Sequence, residues 1–301
     1  MRKKHLESCQ LCARNCKVNR VIGELGVCGQ TSEIVVARAA LHMWEEPCIS
    51  GDAGSGTVFF SGCNIGCVFC QNQNIATGLA GKKIAIERLA DIFSELEEKG
   101  ANNINLVTPT HYVPQIVDAI NQAKKKGIKI PFVYNTGCYE NVETIKMLDG
   151  LIDIYLPDMK YKSEAMSQRY SHTRDYFQVA TKALREMISQ VGMPIIEEES
   201  GIMQRGVIVR HLLLPEGLED SKNVVRYLYD TYHDSIYISL MNQYTPLPQV
   251  KEYPEINRKV TEKEYDELVD FAIELGVENG FIQEGETATE SFIPEFNLEG
   301  V

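Results

Sequence analysis

The sequence predicts an α/β domain with a parallel sheet, preceded by a small cysteine-rich unit. Three observations carry that expectation. Short runs rich in β-branched and aromatic residues alternate six times with amphipathic helical segments. Glycines stand where those helices should end. The first thirty or so residues hold four cysteines but little apolar periodicity, so this unit depends on a metal rather than on a core.

The strand runs are Thr57 to Phe60, Asn103 to Val107, Lys129 to Tyr134, Ile152 to Leu156, Val207 to Leu214 and Ile236 to Leu240. Most are apolar on both faces, as buried parallel strands are. Between them, Leu89, Ile92, Phe93 and Leu96, then Ile116, Val117, Ile120 and Ala123, repeat at helical spacing. Gly100, Gly127 and Gly150 occupy C-cap positions. Further helical patterns run from Leu184 to Val191 and from Val224 to Tyr232, and a last one opens with Thr261 and Glu264 spaced as a capping box and closes at Gly276. Strand-helix repeats in this order imply right-handed crossovers in a sheet that is either open or curled like a barrel. Residues 1–50 are read as the cysteine-rich segment and a connecting stretch, which holds Trp44, Glu45 and Glu46; residues 51–301 are read as the α/β core with a C-terminal extension.

With 30 basic and 42 acidic residues the formal charge is -12, which disfavours a phosphate backbone as partner. No segment is long and apolar enough to span a bilayer, and the basic start is followed by no apolar run of the kind a secretory signal has. Seven of the nine cysteines fall into two tight groups spaced for metal ligation rather than for disulfides, so a reducing, cytoplasmic setting is expected.

Cys63, Cys67 and Cys70 form one group, on a loop directly after the first predicted strand, where α/β folds carry their active sites. Three thiolates there can hold an iron-sulfur cube with one iron left unligated, whereas an electron-transfer cube is closed by four. An open position is what catalytic metal sites keep. Gly62 and Gly66 let the backbone wrap closely. A zinc site or three reduced thiols are the plainer alternatives. Cys9, Cys12, Cys16 and Cys28 form the second group, and four soft ligands within twenty residues fit a closed centre, either zinc or a second iron-sulfur cluster, with a structural or electron-relaying role. Unbridged thiols are the alternative there.

Cys63-x3-Cys67-x2-Cys70, with Phe69 before the last cysteine, resembles the signature loop of the radical S-adenosylmethionine superfamily. The lead-in from Gly51 to Cys63, the Asp158-Met159-Lys160 triplet after the fourth predicted strand, and Arg210 on the fifth resemble pyruvate formate-lyase activating enzymes. Glu46 to Ser50, Asn135 to Gly137 and Met241 to Pro246 resemble an uncharacterised branch of activating-enzyme-like proteins, and the similarity covers nearly the whole chain.

The resemblance implies a partial (βα)6 TIM-like barrel, a [4Fe-4S] cluster on Cys63, Cys67 and Cys70, and S-adenosyl-L-methionine chelating the open iron. It also implies an external one-electron reductant such as flavodoxin or ferredoxin, and a small-molecule or partner-protein substrate. Phe69 is expected beside the adenine. Lys160 and Asp158 are expected at the carboxylate and ammonium of the cofactor, with Asn135 and Thr136 as further contacts. Where many relatives have Gly-Gly-Glu, this chain reads Leu106 to Tyr112, so Thr108 with neighbouring carbonyls is expected to take the amino group, and His111 on the same rim is read first as structural. Cys48 and Cys138 are read as buried packing, with Cys138 close to the rim. Arg210, His211, Met241, Asn242 and Gln243 are placed on or near late strands where a substrate binds or the barrel is filled. The competing readings are a non-catalytic iron-sulfur or zinc electron-transfer protein and a zinc-ribbon adaptor for nucleic acid.

Overall fold

The computed structural model describes residues 2–283 and 294–301. Ten strands are present among them: β1 (Ile34–His42), β2 (Ser55–Phe60), β3 (Lys82–Ile84), β4 (Ile104–Val107), β5 (Phe132–Thr136), β6 (Ile154–Pro157), β7 (Ile195–Ile196), β8 (Met203–Leu212), β9 (Tyr237–Met241) and β10 (Gly280–Ile282). They form one sheet in the order β10-β9-β8-β6-β5-β4-β2-β1-β3, with β7 attached to β8. From β2 to β10 every neighbouring pair along that path is parallel, while β1 pairs antiparallel with both β2 and β3. The path has two free ends, so the curled sheet is a partial TIM-like barrel.

All six predicted strands are present. Their ends differ by a few residues for local reasons: Pro131 has no N–H to donate, so β5 begins after it, at Phe132. Four strands were not expected: β1, β10 and the short β3 and β7. β1 lies inside the stretch read as a connection, because Ala37, Ala39 and Ala40 have weak strand propensity and Arg38 interrupts the apolar run. Its pairing partner supplies what propensity lacks, since β1 runs along β2 from Val36 opposite Phe60 to His42 opposite Ser55. β10 is three residues long and pairs with β9.

Each predicted helix exists and buries the predicted face. Helix Ile86–Glu98 turns Leu89, Ile92, Phe93 and Leu96 into the core, all at 1% exposure or less. Phe93 meets Phe132 of β5 edge to face at 5.3 Å between ring centres, so Phe93→Ala would cost about 3–5 kcal/mol and loosen helix from sheet. Helix Val113–Lys126 ends at Gly127 in the left-handed conformation. The Thr261 side chain accepts from the Glu264 N–H while the Glu264 carboxylate accepts from the Thr261 N–H, a capping box that fixes the start of helix Glu262–Leu275. No described helix is long and apolar enough to cross a membrane.

Among the described residues the cysteine-rich unit carries a small apolar cluster, Leu6, Cys9 and Leu11, against which Val18 and Met147 pack. Most of its hold on the barrel is polar. Arg20, fully buried, donates to the carbonyls of Gln30, Thr31 and His111, the last at 2.6 Å, and lies under the Tyr112 ring.

Candidate active site

The carboxyl ends of β5, β6 and β8 are brought level by backbone bonds that continue past the strands. The Asp158 N–H donates to Thr136 O at 2.8 Å and the Met159 N–H to Arg210 O at 2.8 Å. This sets Thr136, Asp158 and Arg210 side by side on the rim. Tyr176 then fixes the turn: its hydroxyl donates to Asp158 O at 2.7 Å and accepts from the Lys160 N–H at 3.0 Å.

A cavity of about 460 Å³ opens above this rim. Cys63, Cys67 and Cys70 line it, as do Phe69, Thr108, Asn135, Thr136, Asp158 and Lys160, so the predicted cysteine loop and the predicted cofactor contacts line one cavity. Phe69 is 7% exposed and packs edge to face on Tyr244 at 6.1 Å. Thr108 has φ +57°, a conformation that costs a β-branched residue of order 1–3 kcal/mol. Its N–H is anchored on Asn135 O at 2.9 Å, which holds the strained turn at the cavity wall.

An ion network forms the floor. Arg210 donates to Asp158 at 3.0 Å, to Glu45 at 3.1 Å and to Asn135 Oδ1 at 2.6 Å, and Lys160 donates to Asp158 at 2.8 Å. Burial pushes the Asp158 carboxyl up, but Lys160 and Arg210 outweigh it and hold the group below the usual aspartate value. Glu45 and Glu46 go the other way. Burial raises both, Arg210 opposes it, and negative neighbours, Asp158 for Glu45 and Glu45 for Glu46, raise them further. Among the described residues Glu46 Oε2 finds no hydrogen-bond partner. Neither glutamate was singled out as a site residue, because nothing in a Glu-Glu-Pro run tells that both acids are buried; the signal present was the likeness of Glu46 to Ser50 to the activating-enzyme-like branch.

The three-thiol loop has polar groups set against two of its sulfurs. The Ile65 N–H donates to Cys63 Sγ at 3.4 Å, and Ser171 Oγ lies 3.0 Å from Cys67 Sγ. Burial pushes the Cys67 thiol up and the Cys70 thiol up to about 12, while Lys160 pulls both back. Such thiols are protonated unless a metal displaces the proton. The donor set therefore fits an iron-sulfur cluster: three soft ligands on one loop, Gly62 and Gly66 at φ +91° and +77°, N–H and O–H groups at the sulfurs, and a cavity beside them. Among the described residues no three His, Cys, Asp or Glu side chains converge as the ligands of a single ion. A cube places its ligands on different irons, so it asks for no such convergence.

The other candidates separate cleanly. His111 is 2% exposed, places Nε2 2.8 Å from Ser61 O and is held near a pKa of about 3, first by burial and then by Arg20, so it is a neutral structural residue. His211 is buried with Nδ1 2.7 Å from Met159 O. Met241 and Gln243 line the cavity. The Asn242 N–H donates to Gln283 at 2.9 Å. Cys48 and Cys138 are buried at 3% and 1% exposure, and all nine cysteines are free. In the N-terminal unit, burial raises Cys12 to about 12 and also raises Cys28, and neighbouring thiols add to the rise at both.

A partial parallel barrel with three free thiols and a buried ion network on its carboxyl rim defines a barrel enzyme of the metal-cluster kind. Comparison with known proteins gives the family. Residues 57–202 match the model of the radical SAM superfamily. An uncharacterised protein of Methanocaldococcus jannaschii is 30% identical over 279 residues, spanning 90% of this chain and 75% of that protein. Among solved structures, SuiB of Streptococcus suis bound to the precursor peptide SuiA superposes with a TM-score of 0.50 at 13% identity, over 76% of this chain and 48% of that one. Methylornithine synthase (PylB) gives 0.50 at 13% identity over 77% and 74%, and HydG, a maturase of the [FeFe]-hydrogenase, gives 0.50 at 17% over 76% and 52%. The chain thus spans about half the length of SuiB and HydG. It belongs to the radical S-adenosylmethionine superfamily, whose cofactors are a [4Fe-4S] cluster and S-adenosylmethionine.

Proposed function

We propose that the chain is an activating-enzyme-like member of that family, with the cluster on Cys63, Cys67 and Cys70 and S-adenosylmethionine over the ion network. The observation that carries this is the convergence of the three thiols with Asp158, Lys160 and Arg210 on one cavity. Held by Cys63, Cys67 and Cys70, the cluster would supply the electron for reductive cleavage of S-adenosylmethionine and so the means of taking hydrogen from a substrate. The protein's part is to bind, orient and shield. Lys160 and Asp158 now pair with each other at 2.8 Å, and the methionyl group, a zwitterion, offers the same two charges in exchange. Asn135 and Thr136 border that end, Thr108 presents its strained turn to the amino group, and Phe69 supplies an apolar face for the adenine. Arg210 keeps Asp158 ionised for this task.

Cys9, Cys12, Cys16 and Cys28 hold a second, closed centre; of the two types expected, an iron-sulfur cluster suits them better than zinc, because among the described residues no three such side chains converge on a single ion. The electron comes from a flavodoxin- or ferredoxin-like donor in the cytoplasm. The substrate is a small molecule or a partner protein; the structure of SuiB bound to a precursor peptide supports the second of these.

The test is to reconstitute the chain with iron and sulfide under anaerobic conditions and compare wild type, Cys67→Ala and Cys9→Ala. The proposal expects Cys67→Ala to lose a cluster whose electron paramagnetic resonance changes when S-adenosylmethionine is added, and Cys9→Ala to lose a different metal. Zinc at the three-cysteine loop, or a cluster signal indifferent to S-adenosylmethionine, contradicts it.

A further inference from the structure

We propose that the N-terminal four-cysteine unit is a clasp on the three-cysteine loop, with Arg14 as the positioning residue through which order around Cys9, Cys12, Cys16 and Cys28 sets how firmly Cys63, Cys67 and Cys70 hold their cluster. The inference rests on the reading that both cysteine groups bind metal.

Arg14 lies between Cys12 and Cys16, in a turn that folds back on itself: the Asn15 N–H donates to Cys12 O at 3.0 Å and the Lys17 N–H to Cys9 O at 2.8 Å, with both residues at positive φ. The guanidinium leaves that turn and grips two pieces of the barrel. Nε donates to Asn64 O at 2.8 Å and Nη2 to Ile65 O at 2.8 Å, both between Cys63 and Cys67. Nη1 donates to His172 O at 2.7 Å, and Nη2 also reaches Ser171 O at 3.3 Å.

Ser171 is the last residue of helix Glu164–Ser171, and His172 is its left-handed C-cap, so a cation here meets carbonyls that a helix end leaves free. Ser171 is also the residue whose hydroxyl stands 3.0 Å from Cys67 Sγ. One side chain thus fixes both the backbone that carries the thiols and the hydroxyl against one of them. The guanidinium also lies 5.4 Å from the centre of the Tyr139 ring, and Tyr139 O accepts from Asn64 Nδ2 at 2.8 Å.

The N-terminal unit presses on the loop at a second place. A Cβ at Gly62, which precedes Cys63, would come within 2.6 Å of Cys28 O, and its φ is +91°. The start of the catalytic loop is therefore in backbone contact with the fourth cysteine of the N-terminal group while Arg14 holds the next two carbonyls. The unit has little core of its own, so the turn bearing Arg14 is rigid only when its thiols are tied. A lysine could not replace the arginine, because a single ammonium cannot span four carbonyls on two segments.

The experiment uses the full chain, reconstituted anaerobically, as wild type, Arg14→Gln, Arg14→Lys, Cys16→Ser and the Arg14→Gln/Cys16→Ser double variant. Two quantities are read: the rate at which a chelator strips the S-adenosylmethionine-responsive cluster, and hydrogen exchange at the amides of residues 64–70. Losing charge-assisted bonds to backbone carbonyls should speed both by about tenfold or more in Arg14→Gln. Arg14→Lys should fall between, and it serves alone should the glutamine variant not fold. Cys16→Ser, which replaces a sulfur that accepts from the Val27 N–H within the N-terminal unit, should reproduce the effect, and the double variant should add little. Folded Arg14 variants, or Cys16→Ser, with wild-type stripping and exchange overturn the inference while leaving the proposed function intact. A wild type that takes up no responsive cluster overturns both.

Discussion

Arg210→Met removes the cation at the centre of the cavity floor. Its guanidinium is 15% exposed and bonds Asp158 and Glu45, which are 20% and 9% exposed. Asp158 keeps Lys160 at 2.8 Å, so the deficit falls on Glu45 and Glu46. Leaving a buried charge without its partner costs about 3–5 kcal/mol, and the residual solvent access here argues for the lower end, about 3 kcal/mol. In a chain of this size each kcal/mol moves the melting temperature by about 2 °C, so a fall of about 6 °C is expected near neutral pH.

The pH dependence has a definite sign. Both glutamates are raised in the folded protein, first by burial, and Arg210 is what restrains the rise. A carboxyl raised on folding costs nothing below its unfolded value, and the cost grows as pH climbs toward the folded one. Without Arg210 the folded values go higher, so the gap between variant and wild type should be small near about pH 4 and widen toward neutrality. Thermal unfolding followed by circular dichroism across that range is the assay. Adding Glu45→Gln to Arg210→Met should recover part of the loss, since an amide carries no charge to strand. A variant that melts within about 2 °C of wild type at neutral pH, with no widening, refutes the reasoning that the network is a buried, mutually dependent set.

Three further outcomes follow from the same geometry. Lys160→Met strands Asp158's second oxygen and removes the cation nearest Cys67 and Cys70; S-adenosylmethionine binding to the reconstituted protein, measured by calorimetry, should weaken by about thirtyfold or more, the lower end of what losing one partner of a buried charge pair costs. Glu140, whose carboxylate accepts from Thr110, Tyr134 and Thr136, is held up at about 7 by burial. Wild type should therefore lose stability relative to Glu140→Gln between its unfolded value and about pH 7, by about 3 kcal/mol in all, and parallel denaturant titrations at several pH values check this. Gly62→Ala meets both a left-handed φ and Cys28 O, so it should destabilise the chain and reduce cluster uptake, as iron and sulfide analysis would show.

The parallel strands were legible because runs such as Ile104 to Val107 and Ile154 to Leu156 are apolar on both faces and are bounded by residues that stop helices. The three thiols were legible because their ligand spacing is local. The rim residues Asn135, Thr136, Asp158 and Lys160 came from the resemblance, and the carboxyl ends of β5 and β6 do set them on one cavity.

What stayed hidden depends on partners far along the chain. Arg14 reads as one basic residue in a cysteine-rich turn, yet it bonds carbonyls 50 and 158 residues away. Arg20 is among the most buried side chains and nothing adjacent to it announces a core position. Glu45 looks like a solvated acid until β8 brings Arg210 beside it. β1 was hidden because alanines take strand geometry from the ladder of β2 rather than from their own preference.

The most direct test of the central claim, that Cys63, Cys67 and Cys70 present an open cluster beside a site for S-adenosylmethionine, is the yield of 5'-deoxyadenosine from anaerobically reconstituted, dithionite-reduced protein. The account predicts 5'-deoxyadenosine and methionine in equal amounts from wild type and none from Cys67→Ala. An intact, reduced cluster that leaves S-adenosylmethionine uncleaved would contradict it.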